Sequence, residues 1–114
     1  MSEISIVLVT AGSEEEAAAI GQILVEERLA ACANIVPRIR SIYRWKGKIC
    51  DEQEFLTIIK TRTSLFDDVQ KRVKELHSYE VPEIISFPVA GGLQQYIDWV
   101  LEETEAEKGE TGSG

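Results

Sequence analysis

Three side chains in this sequence have the chemistry of transition-metal ligands. His77 is the single histidine of the chain, and imidazole nitrogen suits Cu(II), Zn and Ni. Glu83 follows six residues later and could add a carboxylate across the intervening turn, while Cys32 could add a thiolate suited to Cu(I). One histidine and two distant cysteines leave a tetrahedral site one ligand short, so a metal site here needs carboxylates or a second chain.

Each of these three residues also has a structural interpretation. His77 can be a helix C-cap, where a protonated ring offsets the helix dipole by about 0.3–1 kcal/mol. Glu83 can be a hydrogen-bonded residue at the start of a strand. Cys32, which lies between two alanines, can be a small buried hydrophobe. The residues alone leave both interpretations open.

Aromatic and basic side chains form a second set that could contact a ligand or another subunit. Aromatic residues at strand or helix spacing are typical of packing and of subunit contacts. The arginines at positions 38, 40 and 44 alternate along one segment and could hold an anion, although carboxylates of a neighbouring chain are simpler partners. We therefore predict a subunit interface that includes Tyr43, Trp45, Arg40, Arg44, Tyr79 and Trp99.

The first elements that must position these residues follow from hydrophobic spacing. Residues 4–10 are apolar at nearly every position, which predicts a strand buried on both faces. Ser13 and Glu16 form a capping-box pattern that opens a helix over about 14–30. Within that helix, Gly21 provides a small residue that allows close packing on a sheet.

A long hairpin is predicted next. Residues 34–45 alternate so that Ile35 and Trp45 share one face, and residues 53–61 return as the second strand after a turn at 46–48. Pro37 lacks an N–H donor, so it should lie at an edge or at a bulge. Lys60, in an otherwise apolar strand, needs an ion-pair partner because an unpaired buried ammonium is costly.

The remaining elements complete a recognisable order. Ser64 is predicted to cap a second helix that ends before His77, residues 83–89 form another strand, and a short helix closes the domain. The order predicts an α+β, ferredoxin-like βαββαβ fold with an antiparallel sheet and a short C-terminal helix. Residues 1–101 form this single domain, and residues 102–114 are expected to be an acidic, flexible C-terminal tail. Two helices cover one sheet face only, so the other face predicts a homo-oligomer.

Composition excludes several classes of function. Twenty acidic residues against 12 basic ones give a net charge of −8, which disfavours binding to nucleic acid. No apolar run approaches the ~20 residues that a membrane-spanning helix needs, and residues 1–10 lack a signal-peptide pattern. We therefore predict a cytoplasmic protein without nucleic-acid or membrane partners. No spacing of Ser, His, Asp or Cys indicates a nucleophile, so we predict no enzyme.

Five segments in register resemble the CutA family of divalent-cation tolerance proteins over roughly residues 4–101. These segments are Leu24 to Pro37, Ser41 to Ile49, Ile59 to Thr61, His77 to Glu83 and Tyr96 to Trp99. The resemblance implies a tight homotrimer inside the cell that binds divalent metals, copper especially, with no obligatory cofactor and no established reaction. It also implies a trimer similar to that of the PII signalling proteins.

The sequence departs from this family where metal ligands would lie. Some bacterial members have a cysteine in the first strand and two adjacent histidines at the end of the second helix. In this chain Val9 stands at the strand position, and Leu76 precedes the lone His77. The resemblance thus predicts a homotrimer that binds copper and other divalent cations in response to metal. The candidate ligands are His77 and Cys32, which match the family, and Glu83, which is a candidate from its spacing alone. The alternative is a PII-like signalling or scaffold module that holds a small anionic effector in clefts between subunits.

Overall fold

The computed structural model describes residues 2–106, which form one antiparallel sheet and three α-helices. The strand order is β2-β3-β1-β4, and every neighbouring pair is antiparallel. This arrangement confirms the predicted α+β fold with its βαββαβ order and short C-terminal helix. The elements are β1 (Ile4–Ala11), α1 (Glu14–Glu26), β2 (Cys32–Trp45), β3 (Lys48–Arg62), a 3-10 turn (Thr63–Leu65), α2 (Phe66–Leu76), β4 (Ile84–Pro88) and α3 (Gln94–Glu103).

Helices α1 and α2 pack on one face of the sheet and form the main core there. The fully buried members of this core are Val7, Val9, Ile20, Leu24, Ile59, Val69 and Val73. Gly21 faces the sheet, and a Cβ added to it would lie only 2.9 Å from the Ala33 Cβ. The predicted close packing at Gly21 is therefore confirmed.

The opposite face of the sheet is covered only at one end. Helix α3 packs there through Val100, which is fully buried with Ile4 and Ala31. Along the rest of this face the strand register places a set of apolar side chains that we call the open face, and Ile85 and Phe87 within it are 53% and 48% exposed. The open face consists of Ile6, Leu8, Leu56, Ile58, Ile85 and Phe87.

The hairpin extends past the sheet as a two-stranded arm. Pairing of β1 with β3 ends at Ala11 and Phe55, whereas β2 and β3 stay paired from Ile39–Glu54 to Trp45–Lys48. We call residues 39–54 the arm. Lys46 (φ 52°) and Gly47 (φ 79°) form a two-residue turn with positive φ at both positions, which matches the twist of the flanking strands. β3 begins five residues earlier than predicted because cross-strand pairs stabilise its acidic first half.

A bulge in β2 exchanges the two faces of this strand within the arm. Val36 pairs with Leu56 and Ile39 with Glu54, so β2 contains one more residue than β3 over this interval. Pro37 lies in this bulge on an edge strand, as predicted, and Arg38 has a positive φ of 61°. The prediction that Ile35 and Trp45 share a face is wrong, because Ile35 packs against the core on the helix side while the residues after the bulge have exchanged sides.

Three predicted boundaries also change. α1 ends at Glu26, where Arg28 adopts a positive φ of 61°. Ser64 does not cap α2, because a 3-10 turn occupies residues 63–65 and the helix begins at Phe66 without a side-chain cap. α3 continues past the predicted domain end at residue 101, and Thr104 is buried and donates to the Val100 carbonyl at 2.7 Å. The predicted tail from residue 107 onward lies outside the described residues.

Candidate ligand-binding cleft

The His77 ring lies at the end of α2 and connects two elements of the fold. Its side chain is fully buried, its Nε2 donates to the Thr10 carbonyl at 2.7 Å, and its Nδ1 accepts from the Tyr79 backbone N–H at 3.1 Å. This pattern assigns the neutral tautomer with the proton on Nε2. Both ring nitrogens therefore hold backbone groups in the structure.

Glu16 supports His77 from the first turn of α1. Ser13 Oγ accepts from the Glu16 N–H at 3.1 Å, which is the predicted half of the capping box. The Glu16 carboxylate does not return to residue 13; it accepts from the Ser78 N–H at 2.6 Å and from the Ser78 hydroxyl at 3.0 Å. It also lies 3.5 Å from His77 Nδ1. His77 is the C-cap residue of α2, as the structural interpretation predicts, but its neutral ring does not supply the predicted positive charge that would offset the helix dipole.

Tyr79 extends the same loop to the base of the arm. Its hydroxyl donates to the Glu54 carboxylate at 2.7 Å, and its ring lies 4.7 Å from the His77 ring. Gly12 leaves room for this side chain, because a Cβ there would lie 3.1 Å from the Tyr79 hydroxyl. The glycine is thus a positioning residue that the sequence analysis did not identify.

The arm and the loop after α2 enclose a cleft of about 670 Å³. Four carboxylates and three aromatic rings contribute to its wall. In the arm, the Tyr43 hydroxyl donates to Glu52 at 3.0 Å. The lining residues are Thr10, Arg40, Ser41, Ile42, Tyr43, Trp45, Glu52, Glu54, Tyr79, Glu80, Val81 and Glu83.

Loss of solvent and the carboxylates of the cleft raise the pKa of three of its residues. The hydrogen bond to Glu52 raises the pKa of Tyr43 to about 12. Loss of solvent, together with the bond to Glu54, raises the pKa of Tyr79. Partial loss of solvent, followed by the charge of Glu54, raises the pKa of Glu83. All three shifts oppose the appearance of further negative charge in the cleft.

Two basic residues of the hairpin, Arg40 and Lys60, have partners within their own chain. Arg40 forms two bonds with Asp51, at 2.9 and 2.6 Å, and the pair raises the pKa of Arg40 and lowers that of Asp51. Lys60 donates to the Asn34 side-chain oxygen and lies 3.9 Å from Cys32 Sγ. The expected ion pair of Lys60 is therefore replaced by an amide, because Cys32 is opposite it on β2 and Asn34, which pairs with Ile58, is its diagonal neighbour.

The structure separates the predicted metal ligands. Glu83 lines the cleft, and His77 lies behind it and contacts Tyr79. Cys32 pairs with Lys60, six residues along β3 from Glu54, which is roughly 20 Å along a strand. Among residues 2–106, no three His, Cys, Asp or Glu side chains converge as a metal site. The donors of one chain therefore do not supply a complete set of ligands.

The predicted interface residues divide in a similar way. Tyr43, Trp45, Arg40 and Tyr79 border the cleft, whereas Trp99 lies on α3, where its ring is 5.5 Å from that of Tyr96. Arg44 is exposed on the arm. The sequence analysis missed Glu52 and Glu54 as cleft residues, although their spacing of two places both on one face of β3.

The fold is an α+β domain, and its cleft is lined by carboxylates, phenols and a Trp ring. No helix in residues 2–106 is long and apolar enough to span a membrane. The family model for the CutA1 divalent ion tolerance protein matches residues 5–103. The chain belongs to this family, which consists of divalent-cation tolerance proteins and is not a known family of enzymes.

Individual relatives agree with this assignment. The divalent-cation tolerance protein CutA of Thermus thermophilus is 52% identical over 99 residues, which cover 87% of this chain and 96% of the relative. The solved structure of a divalent cation tolerance protein from T. thermophilus matches with a TM-score of 0.87 and 51% identity, over 90% of this chain and 99% of that one. The periplasmic divalent cation tolerance protein CutA of Archaeoglobus fulgidus matches with a TM-score of 0.87 and 43% identity, over 90% and 99%.

An animal relative is longer than this chain. The protein CutA homolog of Danio rerio is 44% identical over 98 residues, which cover 86% of this chain and 65% of the relative. The chain therefore spans about two thirds of the length of that relative.

Proposed function

We propose that this chain acts as a homotrimer that binds divalent cations, copper among them, in the response of the cell to metal. Membership of the family supports the general role in divalent-cation tolerance. The trimer, the bound metal and the cytoplasmic location are the parts that we add to it. The A. fulgidus relative is named periplasmic, so location needs its own measurement.

One observation carries the proposal of shared sites. Glu52, Glu54, Glu80 and Glu83 line an open cleft, but within residues 2–106 no three His, Cys, Asp or Glu side chains lie close enough together to hold a metal ion. A second subunit beside the cleft would supply the missing ligands. The open face supports such an assembly, because an apolar surface that α3 leaves uncovered is stabilised when other copies exclude water from it.

The three predicted ligands differ in their position relative to the cleft and in the contacts that each would have to break to bind metal. Glu83 is already at the cleft and needs no rearrangement. His77 would have to give up either the Thr10 carbonyl or the Tyr79 N–H before a ring nitrogen could bind copper. Cys32 lies at the far end of the sheet and would belong to a separate site.

The alternative of an anionic effector receives less support from the cleft. Four carboxylates face it, and the guanidinium of Arg40 is already paired with Asp51. An anion would lose its hydration among like charges, which is unfavourable.

Light scattering tests the assembly. We expect a species of about 38 kDa, three times the chain mass of 12.7 kDa, at micromolar protein. A stable, folded single chain under these conditions would contradict the proposal of shared sites.

Calorimetric titration with copper and with manganese tests the ligands. We expect Glu83→Gln to weaken the binding of metal, with Glu75→Gln on the exposed side of α2 as the matched control. His77→Gln distinguishes the two roles of the ring: unchanged copper affinity would remove His77 from the ligand set. If neither ion binds the native protein, the metal proposal fails.

A further inference from the structure

Glu54 is a buried carboxylate that has no counter-ion among the described residues 2–106. The residue is 6% exposed and lines the cleft. Its carboxylate accepts one hydrogen bond, from the neutral hydroxyl of Tyr79. Within residues 2–106 no Lys, Arg or His forms an ion pair with it. Buried carboxylates are normally neutralised by a cation, so this position is incomplete as it stands.

The rest of the cleft adds to this unbalanced charge. Glu52, Glu80 and Glu83 line the same space. The phenols of Tyr43 and Tyr79 are used as donors to Glu52 and Glu54. The guanidinium of Arg40, the basic group among the lining residues, is held by Asp51 at 2.9 and 2.6 Å. The chemistry that the cleft lacks is therefore a positive charge with hydrogen-bond donors.

The size of the cleft and its aromatic walls suit an organic group. The volume of about 670 Å³ lies within the ~300–1,000 Å³ that small-molecule sites occupy. Tyr43 and Trp45 line it and remain 37% and 43% exposed, so ring surface faces the space. The Trp45 ring already attracts one ammonium, that of Lys46 at 5.8 Å from its centroid.

We propose that the cleft binds a small organic cation, an ammonium or guanidinium on an apolar body, whose charge lies between Glu54 and Glu83 and whose body contacts Tyr43 and Trp45. Such a ligand supplies the counter-charge that Glu54 lacks and relieves the repulsion between Glu54 and Glu83. This inference goes beyond the binding of metal and does not depend on it.

Calorimetric titration of the metal-free full chain with 1,4-diaminobutane tests the proposal. We expect the diamine to bind, whereas the neutral analogue 1,4-butanediol and the dianion succinate do not bind. Equal binding of the diol, or no binding of the diamine, would overturn the proposal. Chelation before the titration separates this result from the metal proposal, because either ligand class can bind or fail independently.

Charge-neutral variants locate the bound group. Glu54→Gln and Glu83→Gln should each weaken diamine binding roughly ten-fold or more, because each removes a charge-assisted contact. Asp67→Asn removes the same charge from the exposed side of α2 and should leave the affinity unchanged. If Glu54→Gln and Glu83→Gln both bind the diamine as the native chain does, the site is not this cleft.

The counter-charge could also be a basic side chain of a second copy. Light scattering of Glu54→Gln separates this source from a free ligand. We expect the mass of the oligomer to be unchanged by the substitution. A lower mass, together with no diamine binding by the native chain, would assign the cation to another subunit and overturn the small-molecule proposal.

Discussion

The helix-covered face of the sheet and the arm differ in how far their own chain buries them. On the covered face, Val7, Val9 and Ile59 are almost completely buried by α1 and α2 of the same chain. On the arm, Ile42 and Ile49 are 63% and 69% exposed, and the cleft at its base holds several carboxylates with little counter-charge. The comparison teaches that one region of this chain is complete by itself, while the other has the surface composition of a contact for other molecules.

Truncation of a covered-face residue should give the largest effect on folding. We expect Ile59→Ala to lower the free energy of unfolding by about 2–5 kcal/mol, because it removes buried methylene groups and leaves a cavity. Ile49→Ala in the arm is the matched control and should change stability by less than about 0.5 kcal/mol. Urea titration measures both, and similar losses for the two variants would contradict the division into two regions.

Gly21→Ala tests how closely α1 approaches the sheet. The added Cβ would lie 2.9 Å from the Ala33 Cβ, so either the helix or the strand must move. We expect a loss of about 1–3 kcal/mol, which exceeds the gain of roughly 1 kcal/mol that alanine has over glycine in a helix. The variant Ala33→Gly/Gly21→Ala should recover part of the loss in thermal unfolding. A more stable single variant would show that the contact is looser.

Much of this division could be predicted from the sequence, and the parts that could not have physical reasons. The strand β1, the stripe of α1 and the uncovered sheet face follow from hydrophobic spacing, which local sequence carries directly. The face of the arm could not be predicted, because an extra residue at the Pro37–Arg38 bulge changes the alternation without changing the pattern. The cleft was missed because Tyr79 and Glu54 meet only through the fold.

Tyr79→Phe tests the connection between the complete region and the arm. It removes the hydroxyl that donates to Glu54 at 2.7 Å and leaves the buried carboxylate with one bond fewer. We expect a loss of about 1–2 kcal/mol, measured by urea titration. Tyr96→Phe on α3 is a matched control, with a smaller loss expected because its hydroxyl is paired with the thiol of Cys32, a weak hydrogen-bonding group. Equal losses would indicate that the Tyr79 bond contributes little.

Ionisation of Glu83 should make a smaller contribution to stability, and the direction of its pH dependence can be predicted. Because the pKa of Glu83 is raised in the folded chain, its contribution favours folding below the ordinary value of 4.5 and is lost as pH rises through the raised value. Glutamine does not ionise, so Glu83→Gln should not lose this contribution as pH rises. The urea midpoint of the variant, minus that of the native chain, should therefore increase from about pH 4 to 7. A midpoint difference that does not vary with pH would contradict this assignment.

The smallest predicted effect is the raised pKa of Tyr43 in the arm, which tyrosine titration measures. The hydrogen bond to Glu52 raises the pKa of Tyr43 to about 12, so this phenol should ionise about two pH units above the ordinary value of 10. Glu52→Gln should return it towards 10, as measured by ultraviolet absorbance of a variant that retains Tyr43 alone. Ionisation near 10 in both forms would show that Tyr43 and Glu52 are not bonded in solution.

The bulge in β2 determines which face of the arm each later side chain of that strand points to. Its single extra residue places Tyr43 and Trp45, rather than Arg40 and Arg44, on the face of the arm that carries Glu52 and Glu54. Deletion of Arg38 would restore strict alternation in β2 and exchange the faces of residues 39–45 relative to those of β3, with the length and composition of the arm almost unchanged. Binding specificity at this end of the molecule therefore depends on a count of residues as much as on their identities.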